Sequence, residues 1–137
     1  MDRRNFALAA FSPALLLTGA GSAQAQNQMV YELRTYTCVP GRLEALKARF
    51  RNHTVRLFEK HGMKNIGYWV PADAPLSENT LIYVLAHKSR EAAKASWDAF
   101  RNDPDWKKAR ESSEADGKIV DKMAALYLTP TDFSALK

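Results

Sequence analysis

The period of the apolar residues switches repeatedly along residues 29–129, and this succession limits the fold more than any other feature of the chain. A period of two residues indicates a β-strand, and apolar residues spaced three and four apart indicate a helix. Segments with these periods are, in order, strand 29–37, helix 42–61, strand 64–71, strand 80–87, helix 89–102 and strand 123–129. This βαββαβ order predicts a ferredoxin-like α+β domain, with a four-stranded antiparallel sheet and its helices on one face.

Residues that start and stop helices fall where the period changes. Pro40-Gly41 ends the first strand, and Gly62 is placed to end the first helix. Ser89 is placed to cap the second helix, and Asp103-Pro104 to begin a short third helix that carries Trp106. The helix ends are therefore predicted independently of the periodicity.

The strand at 80–87 is apolar on both faces. Helices cover one face of a ferredoxin-like sheet, so the other face would expose either Tyr83 and Leu85 or Ile82 and Val84. Exposed apolar patches of this kind usually mark an interface. We therefore predict a homodimer in which two sheets pack face to face.

Residues 1–25 have the features of an export signal. Arg3-Arg4, an apolar stretch over 9–17 and the small-residue end Ala23-Gln24-Ala25 follow in the expected order. The arginine pair resembles a twin-arginine signal, with a general secretory signal as the alternative. Because the apolar stretch is too short to span a bilayer, we predict a cleaved signal peptide, no membrane anchor after cleavage, a domain over 26–137, and a periplasmic or secreted location of the bacterial type.

Composition and motifs exclude several functions. The chain has 46% hydrophobic and 26% charged residues, which is typical of a globular protein. Its single cysteine, Cys38, allows no internal disulfide and is predicted to be structural, and no metal-binding motif occurs. The net charge of +5 is modest and spread along the chain. The third strand lacks an RNA-binding aromatic motif and an exported protein seldom meets RNA, which together argue against nucleic acid as a partner. The basic residues expected to form a solvated face on the first helix are Arg42, Lys47, Arg49, Arg51, Arg56 and Lys60.

Several short segments resemble one family at corresponding places. They are Tyr31-Glu-Leu-Arg-Thr-Tyr36, Pro40-Gly41, His53, His61-Gly62, Gly67-Tyr-Trp69 and Asp103-Pro-Asp-Trp106. Together they resemble the NIPSNAP family over nearly all of residues 29–130. The resemblance implies a dimeric α/β barrel but no settled reaction. Antibiotic-type monooxygenases and haem-degrading enzymes share the barrel, which is an analogy of fold alone.

His53 is the best candidate for a catalytic residue. It shares a helical stripe with Phe50 and Leu57, so we expect it to point into the space between helix and sheet. There it would be either a hydrogen-bonded core histidine or a proton acceptor facing a ligand. His61, beside Gly62, is more typical of a helix end.

Glu32, Arg34 and Tyr36 form a second candidate group, since they share one face of the first strand. If that face lines a dimer interface, Glu32 and Arg34 would pair in a buried network. The alternative is an anion-binding Arg34 with Tyr36 as a hydrogen-bond donor.

Tyr68 and Trp69 form a third group. As neighbours on a strand they face opposite ways, so one of them points at the helices, opposite His53, and would complete an aromatic pocket for a planar ligand. Gly67 allows another group to approach the backbone closely.

The sequence thus predicts an exported homodimer that binds a small, partly apolar ligand between sheet and helices. Three alternatives stay open. The first is a monooxygenase-like or isomerase-like enzyme with His53 as proton acceptor, and the second is a protein that binds or degrades haem or holds another cofactor. The third is a non-catalytic interaction module.

Overall fold

The computed structural model describes residues 28–137, and the predicted signal peptide over 1–25 lies outside the described residues. No helix between residues 28 and 137 is long and apolar enough to cross a membrane. In chain order the elements are β1 (Val30–Cys38), α1 (Leu43–Arg49), a π-helical turn (Phe50–Thr54), α2 (Val55–Lys60), β2 (Lys64–Trp69), a 3-10 turn (Leu76–Glu78), β3 (Thr80–His87), α3 (Arg90–Asn102), α4 (Pro104–Ser113) and β4 (Val120–Leu128).

The four strands form one sheet in the order β2-β3-β1-β4, and every neighbouring pair is antiparallel. This confirms the ferredoxin-like α+β arrangement. β4 begins at Val120, three residues earlier than the apolar pattern predicts, because Asp121 and Lys122 are exposed on an edge strand and carry no apolar signal.

The predicted helix ends are confirmed. The Ser89 hydroxyl accepts a hydrogen bond from the Ala92 amide at 3.0 Å and caps α3. The Asp103 carboxylate accepts from the Asp105 amide at 2.8 Å and caps α4. After α2 the backbone takes a φ of +82° at Gly62, a value that strains any residue with a side chain.

The register between β1 and β3 decides which face lies under the helices. Arg34 is paired with the fully buried Tyr83, and Glu32 with Leu85. Because β3 turns Tyr83 and Leu85 toward the helices, the charged face of β1 lies beneath the helices too. Glu32 and Arg34 are paired as predicted, but the expectation that they form a network at the sheet-to-sheet interface is wrong.

The opposite side of the sheet has no helix over it in the described part of the chain. We call this side the open face. Of the two pairs of β3 residues that the sequence offered for this side, Ile82 and Val84 are the pair that lies here. Trp69 and Leu126 lie here too, and they are 54% and 52% exposed. The apolar residues of the open face are Tyr31, Leu33, Trp69, Ile82, Val84, Ala86, Ala124, Leu126 and Leu128, of which Tyr31 and Ala86 are buried.

The first helix contains a π-helical turn that the sequence analysis did not anticipate. At this turn the Thr54 hydroxyl donates to the Arg49 carbonyl, five residues back, at 3.3 Å. The wide turn carries Phe50 and Thr54 inward and leaves His53 exposed, so the expectation that His53 points between helix and sheet is wrong. Arg49, expected on a solvated face, is buried.

Candidate functional site

A cavity of about 450 Å³ lies between the helices and the sheet, on the side of β1 and β4. We call it the helix-side cavity. Its size is within the range of small-molecule sites. It is lined by six aromatic side chains (Tyr36, Phe50, Phe58, Trp97, Phe100, Trp106), five basic ones (Arg34, Arg49, Arg101, Arg110, Lys118), two acidic ones (Glu114, Asp121), and Thr54, Val120 and Met123.

The aromatic side of the cavity is built by α3 and α4. Trp97 and Phe100, which are three residues apart on α3, contact each other edge to face at 5.7 Å between ring centroids. Phe100 and Trp106 lie 4.6 Å apart with their planes tilted by 31°. Since the Asp103 cap starts α4 just before Trp106, it aims that ring at Phe100. These surfaces suit a flat apolar group.

Arg34 is held in place by a buried carboxylate. Its Nη1 donates to Glu32 Oε2 at 2.7 Å, and its Cζ lies 4.2 Å from the Trp97 ring centroid. The other Glu32 oxygen accepts from Trp97 Nε1 and from His87 Nε2, each at 2.8 Å. Burial by itself would raise the pKa of Glu32, but hydrogen bonds from His87, Trp97 and Arg34 outweigh it and lower the pKa to about 2.

Tyr36 is oriented by the tyrosine next to it in the sheet. Its hydroxyl accepts a hydrogen bond from the Tyr83 hydroxyl at 2.8 Å, so its own proton is available to a ligand. Burial raises the pKa of Tyr83 well above the usual range and keeps this donor protonated. The structure therefore brings Arg34 and Tyr36, the predicted anion-binding pair, to one cavity.

Arg49 is a cavity residue that the sequence analysis missed. Its Nη1 lies 3.4 Å from both Ser113 Oγ and Glu114 Oε1, and its Cζ lies 5.2 Å from the Trp106 ring centroid. Burial lowers the pKa of this guanidinium, and Glu114 offsets only part of that effect. Its position three residues after Leu46, on the apolar stripe, was the signal that could have identified it.

The pocket expected around His53 is not assembled. His53 is exposed and lines neither the helix-side cavity nor a second cavity of about 250 Å³. Tyr68 faces the helices and stacks on Tyr83 at 5.2 Å, while Trp69 is on the open face. Both border the second cavity. The group that approaches Gly67 closely is the Trp69 ring, which leaves no room for a Cβ at this position.

The remaining histidines and the cysteine have structural partners. His61 Nε2 lies 2.7 Å from Asp103, and His87 is buried against Glu32. Cys38 is in the core, where burial raises the pKa of its thiol. Between residues 28 and 137, no three His, Cys, Asp or Glu side chains are grouped so that they could hold a metal ion.

The donor set of the helix-side cavity does not fit a haem. Haem iron takes His, Cys, Met or Tyr as its protein ligand. The lining includes Tyr36, whose oxygen is protonated in its donor role and already accepts a hydrogen bond from Tyr83, and Met123, which lies at the exposed rim, but neither histidine nor cysteine. We therefore derive no step that involves haem.

The fold and the site define a class: a ferredoxin-like α+β domain with an aromatic, arginine-bearing cavity beneath its helices. The NIPSNAP family model matches residues 31–135, and the chain belongs to the NIPSNAP family. Among proteins of curated function, none matches this sequence.

Solved structures share the fold at low sequence identity. A NIPSNAP family protein of unknown function from Agrobacterium tumefaciens has a TM-score of 0.70 and 21% identity, over 81% of this chain and 96% of that one. An uncharacterized NIPSNAP-like domain protein from Burkholderia xenovorans has a TM-score of 0.67 and 18% identity, over 79% and 90%. SnoaB, a cofactor-independent oxygenase from Streptomyces nogalater, has a TM-score of 0.53 and 9% identity, over 79% and 98%.

Proposed function

We propose that this protein binds a small, partly apolar ligand in the helix-side cavity. The observation that carries the proposal is the cavity itself, whose volume of about 450 Å³ is bordered by six aromatic side chains. Ligand sites of this size combine apolar walls with a few polar groups that orient the ligand. Here the polar groups are Arg34, Arg49 and Tyr36. Arg34 lies beside the Trp97 ring and Arg49 beside the Trp106 ring.

The test is native mass spectrometry of the protein recovered from the cells that produce it. We expect an added mass on the wild-type protein and on a Val70→Phe variant, which fills the second cavity. The added mass should be lost from a Val120→Phe variant, which fills the helix-side cavity. The opposite pattern would move the ligand to the second cavity, and bare masses throughout would favour a non-catalytic interaction module.

We also propose that the protein acts as a homodimer built on the open face. This proposal is supported by the apolar residues that the sheet presents there, among them Leu33, Val84 and Leu126. Burial of an apolar surface of this kind is the main favourable term in protein association. Sedimentation of the protein at micromolar concentration tests it.

We further propose that the protein is exported. Residues 1–25 would direct the protein out of the cytoplasm, and cleavage after Ala25 would leave Gln26 as the first residue. A variant with Arg3→Lys and Arg4→Lys should remain in the cytoplasm with its leader intact if the route is of the twin-arginine type. Export of that variant would favour the general secretory route, and a wild-type protein found uncleaved in the cytoplasm would contradict export.

A second candidate function is oxygenation of the bound ligand, favoured by the fold shared with SnoaB. With His53 outside the cavity, Glu114 and Asp121 are the lining side chains that could accept a proton. Oxygen uptake on addition of a bound ligand tests this candidate. Substituting Glu114 by Gln should then stop uptake, and unchanged uptake would remove that residue from the role.

A further inference from the structure

Three of the five basic residues that line the helix-side cavity lie close to a carboxylate. Arg34 is paired with Glu32 at 2.7 Å, behind the cavity wall. At the rim, Arg101 is paired with Asp98 at 2.9 Å, and Lys118 lies 4.0 Å from Asp121. Each of these cations therefore lies beside a carboxylate, and Arg101 shares Asp98 with Lys94, which is 2.7 Å away.

The two remaining basic residues share one carboxylate. Glu114 lies 3.4 Å from Arg49 and 3.7 Å from Arg110. The nearby Ser113 carbonyl accepts from Arg42, which lies outside the cavity, and the Ser113 hydroxyl donates to the Arg110 carbonyl. Within the described part of the chain, Arg49 and Arg110 thus have one carboxylate between them and leave one positive charge uncompensated.

Of these two arginines, Arg49 is the one that needs a further partner. Its side chain is only 5% exposed, whereas that of Arg110 is 63% exposed and is solvated. Both polar contacts of Arg49 measure 3.4 Å, which is long for a charge-assisted hydrogen bond, and its Nε has no partner among residues 28–137. A buried charge this poorly matched is costly unless a ligand completes its surroundings.

We propose that the ligand of the helix-side cavity is a monocarboxylate, bound through hydrogen bonds from the Arg49 guanidinium and the Tyr36 hydroxyl. Its apolar body lies against Trp97 and Trp106. This inference rests on the proposed function and names the ligand class. A carboxylate matches the planar fork of a guanidinium, and its single charge offsets the one positive charge that Glu114 leaves uncompensated at Arg49 and Arg110.

In this proposal the anion is bound by Arg49, and not by Arg34 as the sequence alternative had it. Glu32 neutralises Arg34 and holds its guanidinium on the Trp97 ring, so Arg34 contributes a wall of the cavity. Arg49 has no such carboxylate of its own. Both arginines border the cavity, and each has an Nε without a hydrogen-bond partner among residues 28–137. They differ in their carboxylates: Glu32 lies 2.7 Å from Arg34, whereas Glu114 lies 3.4 Å from Arg49 and is shared with Arg110.

The test compares two probes of the same ring and nearly the same shape, the anion 2-naphthoate and the neutral 2-naphthamide, by titration calorimetry at pH 7 and low salt. We expect naphthoate to bind the wild-type protein at least about 10-fold more tightly, because a hydrogen bond to a charged group is worth that much. Equal affinities would overturn the monocarboxylate inference and leave the proposed function standing. Binding of neither probe would overturn both.

Single-residue variants test whether the carboxylate of naphthoate binds at Arg49. Arg49→Gln should lose the preference for naphthoate, and Arg49→Lys should retain part of it, since the charge stays but the fork is lost. Arg56→Gln removes an equal charge from an exposed position on α2 and should bind naphthoate as the wild type does. Unchanged naphthoate binding by Arg49→Gln would overturn the inference.

A measurement on the wild-type protein covers the case in which Arg49→Gln does not fold. The side-chain Nε–H resonance of Arg49 should shift on saturation with naphthoate, and should shift less with naphthamide, which has the same ring but no charge. A shift at Arg34 without one at Arg49 would return the role to Arg34 and overturn the assignment.

Discussion

Arg49, His53 and Thr54 are near neighbours on the first helix, yet they have opposite environments. Arg49 and Thr54 are buried and line the helix-side cavity, and His53 is exposed. The π-helical turn causes the difference, because its extra width shifts the inward direction from His53 to Thr54. The π-helical turn therefore keeps the imidazole of His53 out of the cavity, whereas Arg49, which precedes the turn, is buried because it lies on the apolar stripe of α1.

His53→Ala should leave both stability and ligand binding unchanged. The side chain is exposed, so we expect the free energy of unfolding to change by less than about 0.5 kcal/mol. Thr54→Val is the matched control at the next position and should cost about 1 kcal/mol, because it removes the hydrogen bond to the Arg49 carbonyl. Urea denaturation measures both. A large loss of stability or of naphthoate binding in His53→Ala would contradict this placement.

Acidification should destabilise the protein through Glu32. The pKa of Glu32 is lowered from 4.5 to about 2 on folding, so its contribution is complete above pH 4.5 and is lost as the pH falls toward 2. The loss amounts to at most about 1.4 kcal/mol per pH unit.

A Glu32→Gln variant isolates this contribution. At pH 7 it should be destabilised by about 3 kcal/mol, since Arg34 and His87 lose their carboxylate. The difference from the wild type should shrink between pH 4.5 and 2, as measured by denaturation at a series of pH values. Glu91→Gln, on the exposed side of α3, should show no such trend. A difference that is independent of pH would refute the argument.

The helix caps position the aromatic side of the cavity. Ser89 starts α3, which carries Trp97, and Asp103 starts α4, which carries Trp106. Asp103 also accepts from Lys60 at the end of α2, at 2.8 Å. The hydrogen bonds from Lys60 and His61 hold the pKa of the Asp103 carboxyl well below its usual range. One carboxylate thus joins two helices at the edge of the site.

Ser89→Ala should cost about 1 kcal/mol of stability, because the Ala92 amide loses its capping partner. Ser112→Ala, at an exposed position inside α4, is the control and should change stability by less than about 0.5 kcal/mol. Both effects are measured as shifts of the denaturant midpoint, provided that the dependence of the unfolding free energy on denaturant concentration keeps the same slope. Equal midpoints for the two variants would show that the cap contributes nothing.

At the scale of the whole molecule, the two faces of the sheet have different roles. The helix side contains the core and the cavity, and the open face presents apolar side chains such as Leu33, Val84 and Leu126. Exposed patches of this kind usually mark an interface. The fold therefore places the proposed ligand site and the proposed subunit contact on opposite sides of one sheet.

Leu126→Lys should convert the proposed dimer into a monomer, because it places a charge in the apolar contact. Met123→Lys is a matched control: Met123 is on the same strand and is 62% exposed, but it faces the helix side. Sedimentation velocity at micromolar concentration should show a monomer for Leu126→Lys and a dimer for Met123→Lys. A dimer in both variants would place the contact elsewhere, and a monomeric wild type would contradict the dimer.

Several elements and helix ends follow from local rules, so the sequence determined them by itself. The alternation of β1, the caps at Ser89 and Asp103, and the left-handed stop at Gly62 each depend on residues within one turn of the feature. The resemblance to the NIPSNAP family, carried by motifs such as Asp103-Pro-Asp-Trp106, is likewise local in sequence, and the family match confirms it.

The composition of the site was decided by tertiary structure alone. Which face of β1 lies under the helices depends on its register with β3, and a shift of one residue would exchange every side chain between the two faces. Whether His53 or Thr54 points inward depends on a π-helical turn that is closed by packing of the helix, since helical spacing allows either residue. Arg49 meets Glu114 across 65 positions of the chain, so no local pattern could reveal its unbalanced charge.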